Sequence, residues 1–421
     1  MSRLHIVGII AILLVAAVAF ACGDDDNGGG PEPETFGFGL EAQTIASGAD
    51  AERISAIAIA PDGRIFYAEQ LKGTIRVVNA DGTLQPEPFT QIEVADWLGQ
   101  DWGLTGLALD PDFEDNHYVY AFYTEFVRTI SFTRTDGTEA EHDVGQPVLV
   151  RFTEADGVAD ETEVISQEFP ESDEEKPGYN LNGEIHFGPD GFLYASLGDY
   201  DLFEKAPGVI QNPGSPIGSL LRLNKEDGSA AEGNPLDGEE QADTRIYAYG
   251  FREPFSFTFA PDGTLYANDN TTVSCEELNV IEAGLYYGWP EMGGFPFADC
   301  GAAPGEQPVY NFAREGLNPG DFLAYAEVSG FAYLEDSSYA LLTDGLLVCE
   351  SHKSIPESDG VLRTLTIENG AVTASELIAS SCGGDVRVGP DGSVYYATAT
   401  ELRKLVDSDD PRPPDQTAPS R

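Results

Sequence analysis

The sequence predicts an all-β chain folded as a single six-bladed β-propeller of four-stranded antiparallel blades. Three observations carry that expectation. One grammar recurs: "IAIAPDGRIFYAEQ" at 57–70, "LALDPDFEDNHYVYAFYTE" at 107–125, "IHFGPDGFLYASLGD" at 185–199, "FTFAPDGTLYANDN" at 257–270 and "VRVGPDGSVYYATAT" at 386–400. Each copy is an alternating strand, a Pro-Asp-Gly or Pro-Asp-Phe turn and a second alternating strand. Further strands follow the copies, such as "GTIRVVNADG" and "TQIEVA" after the first, "PVLVRFTEADG" and "ETEVISQE" after the second. Four strands per repeat around a ring protect the sheet edges by radial closure. No long helical periodicity competes, since Gly, Pro or Asp interrupts the chain throughout. A β-sandwich or parallel β-helix is the alternative, but repeats of about sixty residues suit blades with insertions better.

The elements follow in order. Residues 1–21, "MSRLHIVGIIAILLVAAVAFA", have the basic start, apolar run and small-residue end of an export signal. A transmembrane helix is the other reading of that run. "AFAC" followed by "GDDDNGGGPEPET" looks like a bacterial lipobox, which makes Cys22 the acylated residue and 22–36 a flexible tether. That places the working part outside the cytoplasm, periplasmic or at the cell surface. The propeller spans 37–406. In it, "SGFAYLEDSSYALLTDGLLVCE" at 329–350 counts as a degenerate sixth copy without the turn. A Pro/Asp-rich tail, 407–421, is expected to be disordered.

Cysteine usage suits an oxidising compartment. Apart from Cys22 there are Cys275, Cys300, Cys349 and Cys382, an even number. The simplest of three connectivities pairs Cys275 with Cys300 and Cys349 with Cys382. No CxxC spacing argues for metal binding. The formal net charge is −51, with 73 acidic residues against 22 basic. Such a field repels phosphate backbones, which argues against nucleic-acid partners, and draws divalent cations to converging carboxylates.

The succession "DWGLTGLALDPDF", "NGEIHFGPDGFLYASLGD", "GSLLRLNKEDGS", "IYAYGFREPFSFTFAPDG", "CEELNVIEAGLYYGWPEMGG" and "GGDVRVGPDGSVYYAT" resembles the quinoprotein glucose/sorbosone dehydrogenase family. The resemblance implies pyrroloquinoline quinone (PQQ) over the channel, an aldose substrate oxidised at C1 to its lactone, and calcium near the cofactor. It also implies a histidine base, because a neutral imidazole accepts a proton near neutral pH.

At the position of that histidine stands Asn180, which has no titratable group. His352 is the substitute candidate. His186 reads as a packed or rim histidine, His117 and His142 as loop surface residues. Asp199 and Asp101 are carboxylates that could face the channel.

A cofactor with three carboxylates calls for cations. Arg252 in "YGFREP" matches the family's arginine, although Glu253 replaces the asparagine beside it. "SCGGDV" offers Asp385 where the family has an Arg-x-Arg-Asp block, leaving Lys353 as the compensating cation. The cofactor-binding candidates are therefore Arg252, Lys353, Asp101 and Asp385. The resemblance assigns calcium to Glu277 and the Tyr287 carbonyl, with Asp269 or Glu276 nearby. Two functions follow: a PQQ-dependent aldose dehydrogenase, or a non-catalytic extracytoplasmic propeller binding a glycan or a protein.

Overall fold

The computed structural model describes residues 37–47, 53–95, 102–133, 137–172, 178–270, 276–291, 305–312, 326–335, 337, 339, 342–351 and 360–408. Its strands form six four-stranded antiparallel sheets, the blades of a propeller. Blade 1 holds Ile54–Ile59, Ile65–Glu69, Thr74–Val78 and Thr90–Gln91, and blade 2 Leu104–Leu109, Tyr118–Thr133, Glu139–Ala155 and Val158–Ser166. Blade 3 holds Asn182–Phe187, Leu193–Leu197, Ser219–Leu223 and Ile246–Tyr249; blade 4 holds Phe257–Phe259, Leu265–Asp269, Glu276–Ile281 and Tyr310–Phe312. Blade 5 is built from Glu327–Leu334, Gly345–Ser351, Val361–Glu368 and Ala371–Ala379, so the degenerate copy is a true blade start.

Blade 6 takes Val386–Val388, Val394–Ala397 and Glu401–Asp407 from one end of the propeller sequence and Leu40–Ser47 from the other. Those last two strands pair from Leu40 opposite Asp407 to Ser47 opposite Glu401. The repeat pattern did not predict this closure, because Leu40–Ser47 precedes the first Pro-Asp-Gly copy. No helix among the described residues is long and apolar enough to cross a membrane.

The turns behave as their residues require. Gly63, Gly191, Gly263 and Gly392 all have positive φ, which glycine adopts without a Cβ penalty. The aspartates Asp62, Asp190, Asp262 and Asp391 accept the backbone N–H two residues on, at 3.0, 3.2, 3.0 and 3.0 Å. Each turn is thus held by bonds among its own residues.

The innermost strand of every blade touches those of both neighbours, which closes the ring. Polar bonds stitch it around the channel. Ser55 donates to the Leu104 carbonyl at 2.5 Å and Thr105 to the Gly183 carbonyl at 2.8 Å. Asn270 exchanges two 3.0 Å bonds with the Val328 backbone, and the Ile57 N–H donates to Asp385 Oδ2 at 2.8 Å. The apolar core lies between blades: Phe66 and Ile75 meet Leu104 and Val119, for example, and Leu347 and Leu362 meet Val386 and Tyr396. Burial of such side chains contributes roughly 1.5–3 kcal/mol each.

Cys349 of blade 5 and Cys382 at the entry to blade 6 form a disulfide with Cα atoms 5.3 Å apart. Cys275, Cys300 and Cys22 lie outside the described residues. The bridge spans a sequence separation of 33, so the Cys349→Ser/Cys382→Ser pair is expected to lose about 3–4 kcal/mol in the chain-entropy account. Urea midpoints of variant and parent check this; equal midpoints would assign the bridge no stabilising role.

Candidate functional site

Antiparallel neighbours reverse direction, so each blade's first strand begins where its second ends. Asn180, Asp199, Arg252, Glu253, Asp269, Glu277 and Asp385 all sit at such ends. The topology therefore gathers them around one mouth of the channel. Asp101, His352 and Lys353 lie outside the described residues.

Asn180 is buried and takes a left-handed backbone, φ 50°. Its amide donates to Asp199 Oδ1 at 3.0 Å. That carboxylate also receives the Asp201 N–H at 2.9 Å and, on Oδ2, the Trp289 indole at 2.9 Å. Burial raises the Asp199 pKa in spite of nearby Arg252 and these donors. Both carboxylate oxygens are engaged and Asp199 is fully buried, so it cannot stand in as a base for a bound sugar.

Next to this pair, Asp269 accepts the N–H groups of Arg252 and Glu253 at 3.0 and 2.7 Å. Burial pushes Asp269 up to about 7. Glu277, its cross-strand partner, is raised to about 8 by burial and by the Asp269 charge. Glu276 faces the other side of the same strand, since successive strand residues alternate. The Tyr287 side chain stacks on Phe251 at 4.7 Å, and its hydroxyl donates to the Val280 carbonyl at 2.7 Å.

Deeper in the channel is a cluster the sequence reading missed. Arg387 of blade 6 reaches Glu184 at 3.1 Å and His186 at 2.9 Å on blade 3, the Phe331 carbonyl of blade 5 at 2.8 Å, and Asp385 at 2.6 Å. Ser256 of blade 4 donates to Glu184 at 3.1 Å. Burial alone would raise Glu184, but the Arg387 charge and His186 hold it below the usual range. Burial and the Arg387 charge lower the His186 pKa, and burial raises Asp385. The signal in the sequence was the lone arginine in "VRVGPDG", a charge on an innermost strand.

Asp385 is thus committed to Arg387 and to the backbone of Ile57 and Val386, at 2.8 and 2.7 Å for the two N–H groups. His186 is a packed channel histidine, edge-on to Phe257 at 4.9 Å. His142 is not a loop surface residue: it is buried on a long blade 2 strand against Phe132 at 5.3 Å. Alternation on that extended hairpin turns it inward. His117 does cap a short helix, with φ 57° and an exposed ring.

The family model for glucose/sorbosone dehydrogenases matches residues 52–407. The chain belongs to that family. It is 28% identical over 254 residues to quinoprotein glucose dehydrogenase B of Acinetobacter calcoaceticus, covering 56% of this chain and about half, 49%, of that protein. It is 24% identical over 325 residues to aldose sugar dehydrogenase YliI of Escherichia coli, covering 74% and 78%. The PQQ-bound aldose sugar dehydrogenase of Streptomyces coelicolor superposes with a TM-score of 0.65 at 22% identity, over 89% of this chain and 99% of that one, a likeness of fold.

The glucose/sorbosone dehydrogenase family implies two bound groups, and the residues receive them differently. On one face of blade 4, Glu277 lies opposite both Asp269 and Asn311, with Asn279 two residues on. Glu277 Oε1, Asn279 Oδ1 and Asn311 Oδ1 are buried without hydrogen-bond partners. Orphaned oxygens of this kind suit calcium, a hard cation that takes carboxylate and amide oxygens. Among the described residues no group of three or more His, Cys, Asp or Glu side chains is placed to hold a metal ion, so amides would have to supply the rest.

PQQ meets a poorer match. Two described guanidinium groups stand at strand starts on the mouth side, Arg53 before blade 1 and Arg252 before blade 4; Arg252 already bonds Glu253 at 3.3 Å and the Asn270 carbonyl at 2.8 Å. Asp199 and Asp269 lie within its field and Glu253 pairs with it, so the Arg252 side of the rim fits a cofactor with three carboxylates poorly.

Proposed function

We propose that this propeller binds an aldose at its channel mouth without oxidising it, and holds calcium in blade 4. Its place of work is a membrane surface, to which acylated Cys22 tethers it. The observation that carries the reading is the Asn180–Asp199 pair. The family's base position holds a buried amide whose N–H is spent on a carboxylate, so nothing there can take a proton from a sugar hydroxyl.

A general base contributes about 10²–10⁴ in rate. The purified domain with PQQ, calcium and a panel of aldoses is therefore expected to reduce a dye at least ~100-fold more slowly than an active relative. Calorimetry with the same aldoses is expected to give saturable binding. A second reading, PQQ-dependent oxidation of an aldose at C1 to the lactone, is supported by family membership over 52–407 and by Arg252 at the mouth. Sugar-dependent dye reduction at the rate of active relatives would establish that reading and overturn the first. Absence of sugar binding would overturn both.

A further inference from the structure

Four of the five Pro-Asp turns carry an internal cation that the blade 4 turn lacks. In blade 1 the turn aspartate Asp62 pairs with Arg64 at 2.8 Å, and Arg64 lies over the Phe66 ring at 5.6 Å. In blade 2, Asp112 has Lys225 at 3.9 Å, over Phe187 at 6.0 Å. Blade 3 pairs Asp190 with Arg222 at 2.7 Å, over Phe192 at 4.1 Å. Blade 6 pairs Asp391 with Lys404 at 3.7 Å, over Tyr395 at 5.1 Å. Each of these turns joins a carboxylate, a cation and an aromatic face.

Blade 4 has the carboxylate and the aromatic but no cation. "PDGRIF" at 61–66 becomes "PDGTLY" at 261–266, with Thr264 in the place of Arg64 and Tyr266 in that of Phe66. A groove of about 430 Å³ opens there between blades 4 and 5, lined by Asp262, Tyr266, Tyr333, Glu335 and Asp344, with no lysine or arginine among its lining residues. Tyr266 is 7% exposed. Among the described residues, neither its hydroxyl nor that of Tyr333 makes a hydrogen bond, and Glu335 has no ion pair. Arg64 also bridges to the next blade, reaching Glu154 of blade 2 at 3.1 Å; on the blade 5 side of the groove the carboxylates are Glu335 and Asp344, which flank the connection between its first two strands.

We propose that this groove binds a small organic cation with an ammonium or guanidinium head, which takes the position that Arg64 fills in blade 1. Carboxylates neutralise the head, the tyrosine hydroxyls accept its N–H groups, and the ring faces add cation–π attraction. The site lies at the turn end of the blades, opposite the mouth, and does not depend on the sugar-binding reading.

Titration of n-butylammonium and of methylguanidinium into the full propeller at constant ionic strength, with sodium as the competing ion, tests the proposal by calorimetry. One saturable site is expected. Glu335→Gln/Asp344→Asn is expected to weaken it at least tenfold and Tyr266→Phe severalfold. Glu161→Gln/Glu376→Gln, which removes the same charge from exposed outer strands, is expected to leave it within twofold. Thr264→Arg supplies the missing cation from within the chain, so it should abolish binding while raising the melting temperature. Absence of a saturable site would overturn the proposal. So would equal binding by all variants, because that is the behaviour of counterions gathering around an acidic protein.

Discussion

Replacing Arg387 with methionine is expected to cost more than about 3 kcal/mol of stability, the largest effect of any single substitution in the channel. Removing one partner of a buried ion pair costs about 3–5 kcal/mol, because the remaining charge has neither water nor a counterion. Here one guanidinium serves two carboxylates, Asp385 at 2.6 Å and Glu184 at 3.1 Å, both essentially inaccessible. It also ties blade 6 to blade 3 across the channel and to its neighbour blade 5, so its loss removes both ties.

The pH dependence has a definite sign. Glu184 is held below its unfolded value, so its contribution is present above the ordinary carboxylate range and is lost as pH falls through the folded value. His186 is depressed too, and its contribution is full above about 6.5 and falls as the unfolded chain takes up a proton. Burial already raises Asp385 in the parent in spite of Arg387; without Arg387 it raises Glu184 as well and Asp385 further. Acid then stabilises the variant by neutralising them. The gap between parent and Arg387→Met should therefore be widest near pH 8 and narrow toward pH 5, read from urea midpoints. Adding Glu184→Gln and Asp385→Asn should recover much of the loss. A gap below about 1 kcal/mol, or one independent of pH, would mean that the cluster is not an ion network.

How far the sequence revealed this depends on whether a feature was local. Pro-Asp-Gly turns are complete within a few residues, so the five copies showed the blades directly, and glycine φ with aspartate bonds reproduces them turn by turn. The closing strand Leu40–Ser47 was not visible because its partner, Glu401–Asp407, lies more than 350 residues away, and pairing register leaves no local trace. At the mouth, Asn180, Arg252 and Glu277 were found by their motifs. The commitments of those side chains were not: that Asn180 donates to Asp199 and Arg252 to Asn270 follows from which strand ends the ring brings together. Arg387 was overlooked because an arginine amid alternating apolar residues reads as an outward position. On an innermost strand, inward means the polar channel. The missing cation of blade 4 was written in the repeat all along, as threonine against arginine, but it acquires meaning only when Tyr333, Glu335 and Asp344 of the next blade face it.

Calcium is expected to raise the melting temperature of the propeller by several degrees over chelator, and Glu277→Gln to abolish that shift. A ligand that binds only the folded state stabilises by RT ln(1 + [L]/Kd), about 4 kcal/mol at a thousandfold excess over Kd. At a few degrees or less per kcal/mol for a chain of this size, the shift is readily measured. The donors argue for this site and not for a diffuse effect of −51 net charge. Glu277, Asn279 and Asn311 present three buried oxygens with no hydrogen bond, on one face of a four-stranded sheet, beside Asp269. Buried acceptors left this way cost about 1–3 kcal/mol each unless something satisfies them. Two controls separate a site from screening. Magnesium, which demands a tighter octahedron and keeps its waters, should give a smaller shift at equal concentration. Asn279→Leu should remove the calcium response at little cost to the metal-free protein, because it removes an unsatisfied buried amide oxygen and loses only the long 3.4 Å bond from the amide nitrogen to Glu277. An equal calcium shift in Glu277→Gln, Asn279→Leu and the parent would place the ion elsewhere on this acidic surface. The orphaned oxygens of blade 4 would then have no occupant to explain them.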